Sequence, residues 1–336
     1  MSAVANGQSA DSMLRDRFGR NINYMRISTT DRCNLRCTYC MPDGISCIPM
    51  AEILTYEEIA VVCAQAAALG IDRFKITGGE PLVRKGCAGL IEMIRRIDGV
   101  RQITLTTNGI LLGDYLDDLL RAGMDAVNIS LDTMDRDQYL AITGRDELEK
   151  VLSSIRLAAG RVPVKINCVI QKGMNEDAPV RLAGLARDLP VDVRFIEMMP
   201  IGEGKTRKSV PGEAVLQKIE EAFGKSVPDE TVHGNGPAVY YRFEGFTGSI
   251  GLISAVHGKF CADCNRLRLT STGDLKPCLC YADTVPLKGI LRDGLPLKEE
   301  RLREKIREAV WEKPRMHCFE NSEMITEQKK MAQIGG

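Results

Sequence analysis

Hydrophobic and polar positions in the first two thirds of the chain switch repeatedly between two periods. "NYMRIS" (23–28), "RFKIT" (73–77), "QITLTT" (102–107), "DAVNISLD" (125–132), "PVKINCVI" (163–170) and "VDVRFIE" (191–197) have strand character. Between them, "YEEIAVVCAQAAALG" (56–70), "AGLIEMIRRI" (88–97), "LGDYLDDLLRAG" (112–123), "DELEKVLSSIRLAAG" (146–160) and "DAPVRLAGLARDL" (177–189) predict helices. In the first helix Ile59, Val62, Cys63 and Ala66 fall on one stripe, and Gly70 suits the C-terminal cap. The last carries Pro179 in its first turn.

Repeated strand–helix units build a parallel sheet with right-handed crossovers. No G-x-G-x-x-G follows the first strand, which weakens a dinucleotide-binding reading. Polar residues cluster at or near strand ends instead: Arg26, Lys75, Thr107 and Asn108, Ser130 and Asp132, Glu197. Barrels place their chemistry there. Six units rather than eight predict an α/β fold with an incomplete (βα)6 barrel over residues 21–209. Residues 1–20 read as a flexible N-terminal segment. From 210 the pattern changes to a helix (210–223), short Gly-rich β-like pieces and an amphipathic helix (297–314). Residues 210–336 therefore read as a C-terminal α+β module closing the open side of the barrel.

The balance of 45 basic and 45 acidic residues argues against a nucleic-acid partner held by a general positive field. No apolar run is long enough to span a membrane, and the start shows no secretory signal, so a cytoplasmic location is expected. Twelve cysteines are many for that setting and point to metal or redox chemistry.

The cysteines cluster. Cys33, Cys37 and Cys40 form C-x3-C-x2-C just after the first strand, and Cys261, Cys264 and Cys278 form a second three-cysteine set. A closed structural zinc site wants four ligands. For the first group Cys47 is the near candidate; for the second, His257 or Cys280 could complete half a zinc ribbon. A three-thiolate iron–sulfur cubane leaves one iron open for an exchangeable ligand. In "RLRLT" Arg266 and Arg268 point the same way, as a fork for phosphate oxygens or as a decorated exposed face. Lys165 shares a strand face with Asn167 and, if buried, needs an acidic neighbour or an anionic ligand. In "ITGGEP" (76–81), Gly78 and Gly79 would let backbone approach a ligand closely.

The cysteine loop, with Tyr39 before its last cysteine, and "ITGGEP" resemble the radical S-adenosylmethionine (SAM) enzymes. Over nearly the whole chain, "RISTTDRCNLRCTYC", "KITGGEPLVR", "LTTNG", "NISLD", "RFIEMMP" and "CADCNRLRLT" resemble the GTP 3′,8-cyclase family of molybdenum cofactor biosynthesis. The resemblance implies a lyase with two [4Fe–4S] clusters, SAM bound to the open iron of the first and GTP to that of the second. It puts cluster ligands at the two cysteine sets and SAM contacts at Tyr39, Gly79, Ser130 and Met199. GTP contacts are implied at Arg26, Lys75, Thr106, Lys165, Arg266, Leu267 and Arg268. The register is open by one at Thr106 or Thr107 and at Met198 or Met199. Lys75 stands where the family often has Arg. The C-terminal Gly335 and Gly336 are implied to reach the active-site cavity. Implied partners are GTP, an external one-electron donor, a downstream cyclic pyranopterin monophosphate synthase and, as one arrangement, a second copy in a homodimer. A peptide-maturing radical SAM enzyme with an auxiliary cluster and a non-enzymatic iron–sulfur or zinc protein are the alternatives.

Overall fold

The computed structural model describes residues 13–44 and 48–335. Six parallel strands lie side by side in chain order: β1 (Tyr24–Ser28), β2 (Arg73–Thr77), β3 (Gln102–Thr107), β4 (Ala126–Ser130), β5 (Val164–Ile170) and β6 (Val191–Glu197). Their crossovers carry α1 (Tyr56–Ala68), α2 (Cys87–Arg95), α3 (Leu112–Arg121), α4 (Arg136–Thr143), α5 (Leu148–Ala158) and α6 (Ala178–Asp188). Thr55 and Glu58 form a capping box at the start of α1, and the predicted stripe Ile59, Val62, Cys63 and Ala66 is fully buried. Along β5, Val164, Ile166, Cys168 and Ile170 enter the core, and the alternate face carries Lys165 and Asn167. Side chains from opposite strands, Arg26, Thr106, Ser130, Asn167 and Ile196, line one cavity, so the sheet curls into the expected partial barrel.

The rest of the chain contributes α7 (Gly212–Phe223), β7 (Val227–Asp229), β8 (Val239–Arg242), β9 (Ile250–Ile253), β10 (Arg266–Leu269), β11 (Asp274–Lys276), β12 (Val285–Pro286), α8 (Lys288–Arg292) and α9 (Lys298–Trp311). It extends both edges of the barrel. β9 pairs in parallel with β6, and β10 in parallel with β1, from Tyr24 opposite Arg266 to Ile27 opposite Leu269. Residues 254–265, which hold Cys261 and Cys264, link these two added strands. The C-terminal module is thus joined to the barrel by backbone pairing at both edges.

Two features differ from the sequence reading. Residues 13–20, grouped with a flexible segment, are packed: Leu14 is buried, and Asp16 and Arg20 form a buried ion pair at 2.5 Å. Arg20 also donates to the carbonyls of Cys261 (2.8 Å) and Pro314 (2.6 Å), so long-range partners hold a stretch with no local signal. The second is α4, which the sequence reading did not name. It is short, starts on an Asp135 side-chain cap and ends at left-handed Gly144.

Candidate active site

The barrel interior holds a cavity of about 330 Å³ lined by all six cysteines of the two sets. Tyr39, Gly79, Thr106, Ser130, Met199, Arg26, Arg266 and Arg268 also line it. These residues come from positions as far apart as 26 and 278, brought together because they sit on inward faces or just beyond strand ends.

The first cysteine loop is fixed by its neighbours. α4 accepts two of its backbone N–H groups, Arg36 to the Thr143 carbonyl (2.8 Å) and Thr38 to the Ile142 carbonyl (2.9 Å). On the other side, Gly79 donates to the Thr30 carbonyl at 2.7 Å, and a Cβ on Gly79 would stand 2.3 Å from the Arg32 carbonyl oxygen. The close approach these glycines allow is therefore to the chain's own cysteine loop, in addition to the cavity. Glu80 accepts from Asn108 N (2.7 Å), Leu82 N (3.1 Å) and Thr107 Oγ1 (2.8 Å), and burial lifts its carboxyl to about 7. The Thr107 hydroxyl is thereby committed, while Thr106 accepts from Asn128 at 3.4 Å. The Tyr39 hydroxyl donates to Asp132 at 2.8 Å. Burial pushes the Cys33 thiol up to about 11 and Cys40 to about 12, and raises Cys37 well above its ordinary value. Three converging buried thiols ionise only against added positive charge, which an iron cluster supplies.

The second set is anchored from several sides. Glu197, at the end of β6, accepts from the backbone of Val256 (2.8 Å) and His257 (3.1 Å). His257 is exposed and turned to Glu197, and Cys280 is buried in an apolar cluster with its sulfur 3.2 Å from Cys318. Neither lines the cavity with the three cysteines. Burial opposes ionisation of Cys264, but Lys313, Arg266 and a backbone N–H bring it down to about 6. No three described Cys, His, Asp or Glu side chains converge closely enough to enclose a single metal ion. In a cubane each thiolate binds a different iron, so three cysteines need not enclose one ion to hold such a cluster. Cys47 lies outside the described residues.

Basic residues gather in the barrel. Arg26, Arg194, Lys165 and Arg266 lie near Lys75, Arg26 and Arg266 lie near Arg268, and Arg194 lies near Lys165. Burial followed by these like charges lowers Lys75 and Arg268 well below their ordinary values. The Lys165 ammonium donates to the His233 carbonyl and has Asp192 as the acidic neighbour. Lys75 and Lys165 stand beside the cavity rather than on its described lining. Arg194, which the sequence reading passed over, is buried and bonds Asn167 Oδ1 at 2.9 and 2.6 Å. The signal was present: in "VDVRFIE" it alternates with core residues. Leu267 points the opposite way from its arginine neighbours into the core, so its side chain offers the cavity nothing. Gly335 is buried, left-handed at φ +79, and its carbonyl accepts from Arg268 at 3.1 Å. Gly336 lies outside the described residues.

Comparison with known proteins agrees with this arrangement. Residues 27–186 match the Radical SAM superfamily model, and residues 191–319 match Molybdenum Cofactor Synthesis C. The chain is 44% identical over 325 residues to GTP 3′,8-cyclase of Clostridium perfringens, covering 96% of this chain and 100% of the relative. Identity is also 44% to GTP 3′,8-cyclase of Moorella thermoacetica, again over 96% and 100%. Streptococcus suis SuiB bound to S-adenosylmethionine shares the fold, with a TM-score of 0.63 at 13% identity over 93% of this chain and 77% of that one.

Proposed function

The chain belongs to the GTP 3′,8-cyclases, radical SAM enzymes of molybdenum cofactor biosynthesis, and we propose which of its residues carry that reaction. The reaction converts GTP to (8S)-3′,8-cyclo-7,8-dihydroguanosine 5′-triphosphate, the first step of that pathway. A [4Fe–4S] cluster and SAM, when bound, supply the adenosyl radical that takes the ribose 3′ hydrogen, after which the substrate radical attacks guanine C8.

Cys33, Cys37 and Cys40 hold that cluster, and Tyr39, Gly79, Ser130 and Met199 position SAM. Tyr39, tied to Asp132, and Gly79, seated on the cysteine loop, do so on a rigid frame. Cys261, Cys264 and Cys278 hold a second [4Fe–4S] cluster facing the same cavity. Arg26, Lys75, Thr106, Lys165, Arg266 and Arg268, with Arg194, receive GTP. The observation that carries this reading is the shared cavity: one three-cysteine set follows the C-terminal end of β1, the other adjoins the start of β10 at the opposite end of that strand pair, and both line a cavity with an excess of buried positive charge beside it. Burying cations together costs several kcal/mol each unless an anion joins them, and a triphosphate is such an anion. The carbonyl of Gly335 on Arg268 supports a role for the Gly335–Gly336 end beside the substrate. An external one-electron donor and a downstream synthase for cyclic pyranopterin monophosphate complete the scheme, with a homodimer as one form of the enzyme.

The test is anaerobic incubation with SAM, reductant and GTP, followed by mass analysis of the nucleotide and of 5′-deoxyadenosine. A nucleotide of the same mass as GTP but separated from it by chromatography is expected, formed together with 5′-deoxyadenosine, because the hydrogen lost to the adenosyl group is replaced by one electron and one proton. 5′-Deoxyadenosine formed with GTP unchanged would refute the substrate assignment.

A further inference from the structure

Lys313 is 2% exposed, yet no carboxylate pairs with it among the described residues. It follows the C-terminus of α9, where the helix dipole favours a cation. Its ammonium donates to the Arg266 carbonyl at 2.9 Å and the Pro277 carbonyl at 2.8 Å. These carbonyls stand two residues after Cys264 and one before Cys278. Cys264 is a neighbour of the same side chain. Two carbonyl acceptors and the end of α9 favour the protonated form of the amine. The sulfurs of Cys264 and Cys278 and the Arg20 guanidinium lie near it.

We infer that Lys313 is a positioning residue of the second cysteine set, which joins its two segments and uses its buried charge to favour the reduced state of the group held there. This rests on the two-cluster reading. One-electron reduction adds a negative charge to an iron–sulfur cluster, and hydrogen bonds and charges at the sulfurs set its potential. A cation buried beside Cys264 therefore raises that potential, and does so more strongly than a solvated one. Among the described residues, the lysine near the first cysteine loop is Lys330, half-buried and paired with Glu203, while Glu80 and Asp132 are buried there.

The experiment uses the full chain, reconstituted anaerobically, with Cys33, Cys37 and Cys40 changed to Ala so that only the second set can hold iron. Lys313, Lys313→Arg, Lys313→Gln and Lys313→Met are compared by iron content and by a redox titration followed by electron paramagnetic resonance. The expected result is a potential lower by at least a tenfold change in the reduction equilibrium, about 59 mV for one electron, in Gln and Met, with Arg close to Lys. Loss of the cluster in Gln and Met but retention in Arg also supports a required charge. An unchanged potential in Gln or Met at full iron content overturns the inference, as does equal loss of iron in all three variants. No iron in the Lys313 parent overturns the two-cluster reading and this inference with it.

Discussion

The two cysteine sets have the same number of thiols and different surroundings. The first lies among Glu80, Asp132 and its own sulfurs, with Arg36 and Lys330 at its rim, and every thiol there is harder to ionise than usual. The second lies against Lys313, Arg266 and Arg20; burial raises Cys261, but Cys264 is easier to ionise than usual. The supports differ too. The first loop is held by α4 and the Gly78–Gly79 turn, both within the barrel's crossovers. The second hangs between two sheet edges and is tied down by residues as distant as Arg20 and Lys313. Spacing in a sequence thus counts ligands, while charge around them decides how each set behaves.

The sharpest way to break the comparison is to remove one set at a time. Changing Cys33, Cys37 and Cys40 to Ala should abolish SAM cleavage and remove about four of roughly eight irons. Changing Cys261, Cys264 and Cys278 to Ala should remove a similar share and abolish cyclisation of GTP. Iron analysis and 5′-deoxyadenosine assay decide it: equal iron in wild type and both variants would end the two-set picture. Nearly as large is the effect of deleting Gly335 and Gly336, expected to stop cyclisation while iron content and GTP affinity stay near normal. Normal turnover by the truncated chain would remove the tail from the site.

Smaller changes sharpen the contrast. Gly79→Ala drives a methyl into the Arg32 carbonyl, so about 3 kcal/mol of stability should go, with iron lost from the first set and kept by the second. Thermal unfolding with iron analysis measures both. The pH dependence of the metal-free chain should show opposite signs for the two regions. Glu80 sits at about 7 against an ordinary 4.5, so its contribution is full below 4.5 and lost as pH rises through 7. That is about 3 kcal/mol between pH 4 and 8. Cys264 sits at about 6 against 9.0, so its contribution is present above 9 and lost as pH falls through 6. Glu80→Gln should remove the first dependence and Cys264→Ser the second, read by denaturant melts across pH; a dependence unchanged in either variant refutes that assignment. Last, Arg266→Ala and Arg268→Ala should each cost about 1.5–3 kcal/mol of GTP binding and little of guanosine binding. Calorimetry showing equal losses for both ligands would make the pair structural.

Much of the barrel was legible because it is written in local period. The α1 stripe and the β5 alternation were readable from spacing alone, and both cysteine sets and the Arg266–Arg268 pair were visible as motifs. What escaped depends on neighbours far away in the chain. α4 is too short for a strong period and earns its place by holding Arg36 and Thr38. Gly79 reads as a glycine that lets backbone approach a ligand until Arg32 is seen beneath it. Arg194 looks like any strand polar residue until the sheet curls and sets it near Lys75. Residues 13–20 carry no pattern, because Arg20 finds its partners at Cys261 and Pro314.

The pairing of β1 with β10 bears on how the chain is made. β1 receives its second neighbour only after roughly 240 further residues have been added, which at about 5–20 residues per second takes some 12–48 s on the ribosome. Throughout that interval one side of the first strand offers unpaired backbone groups to any other extended chain. Most contacts that frame the first cysteine loop, out to Arg207, can form before Lys313 emerges, while Cys40 gains its Ala332 neighbour only at the end of the chain. The nascent protein therefore passes through a stage with the first cysteine set largely framed and the second still without its anchors.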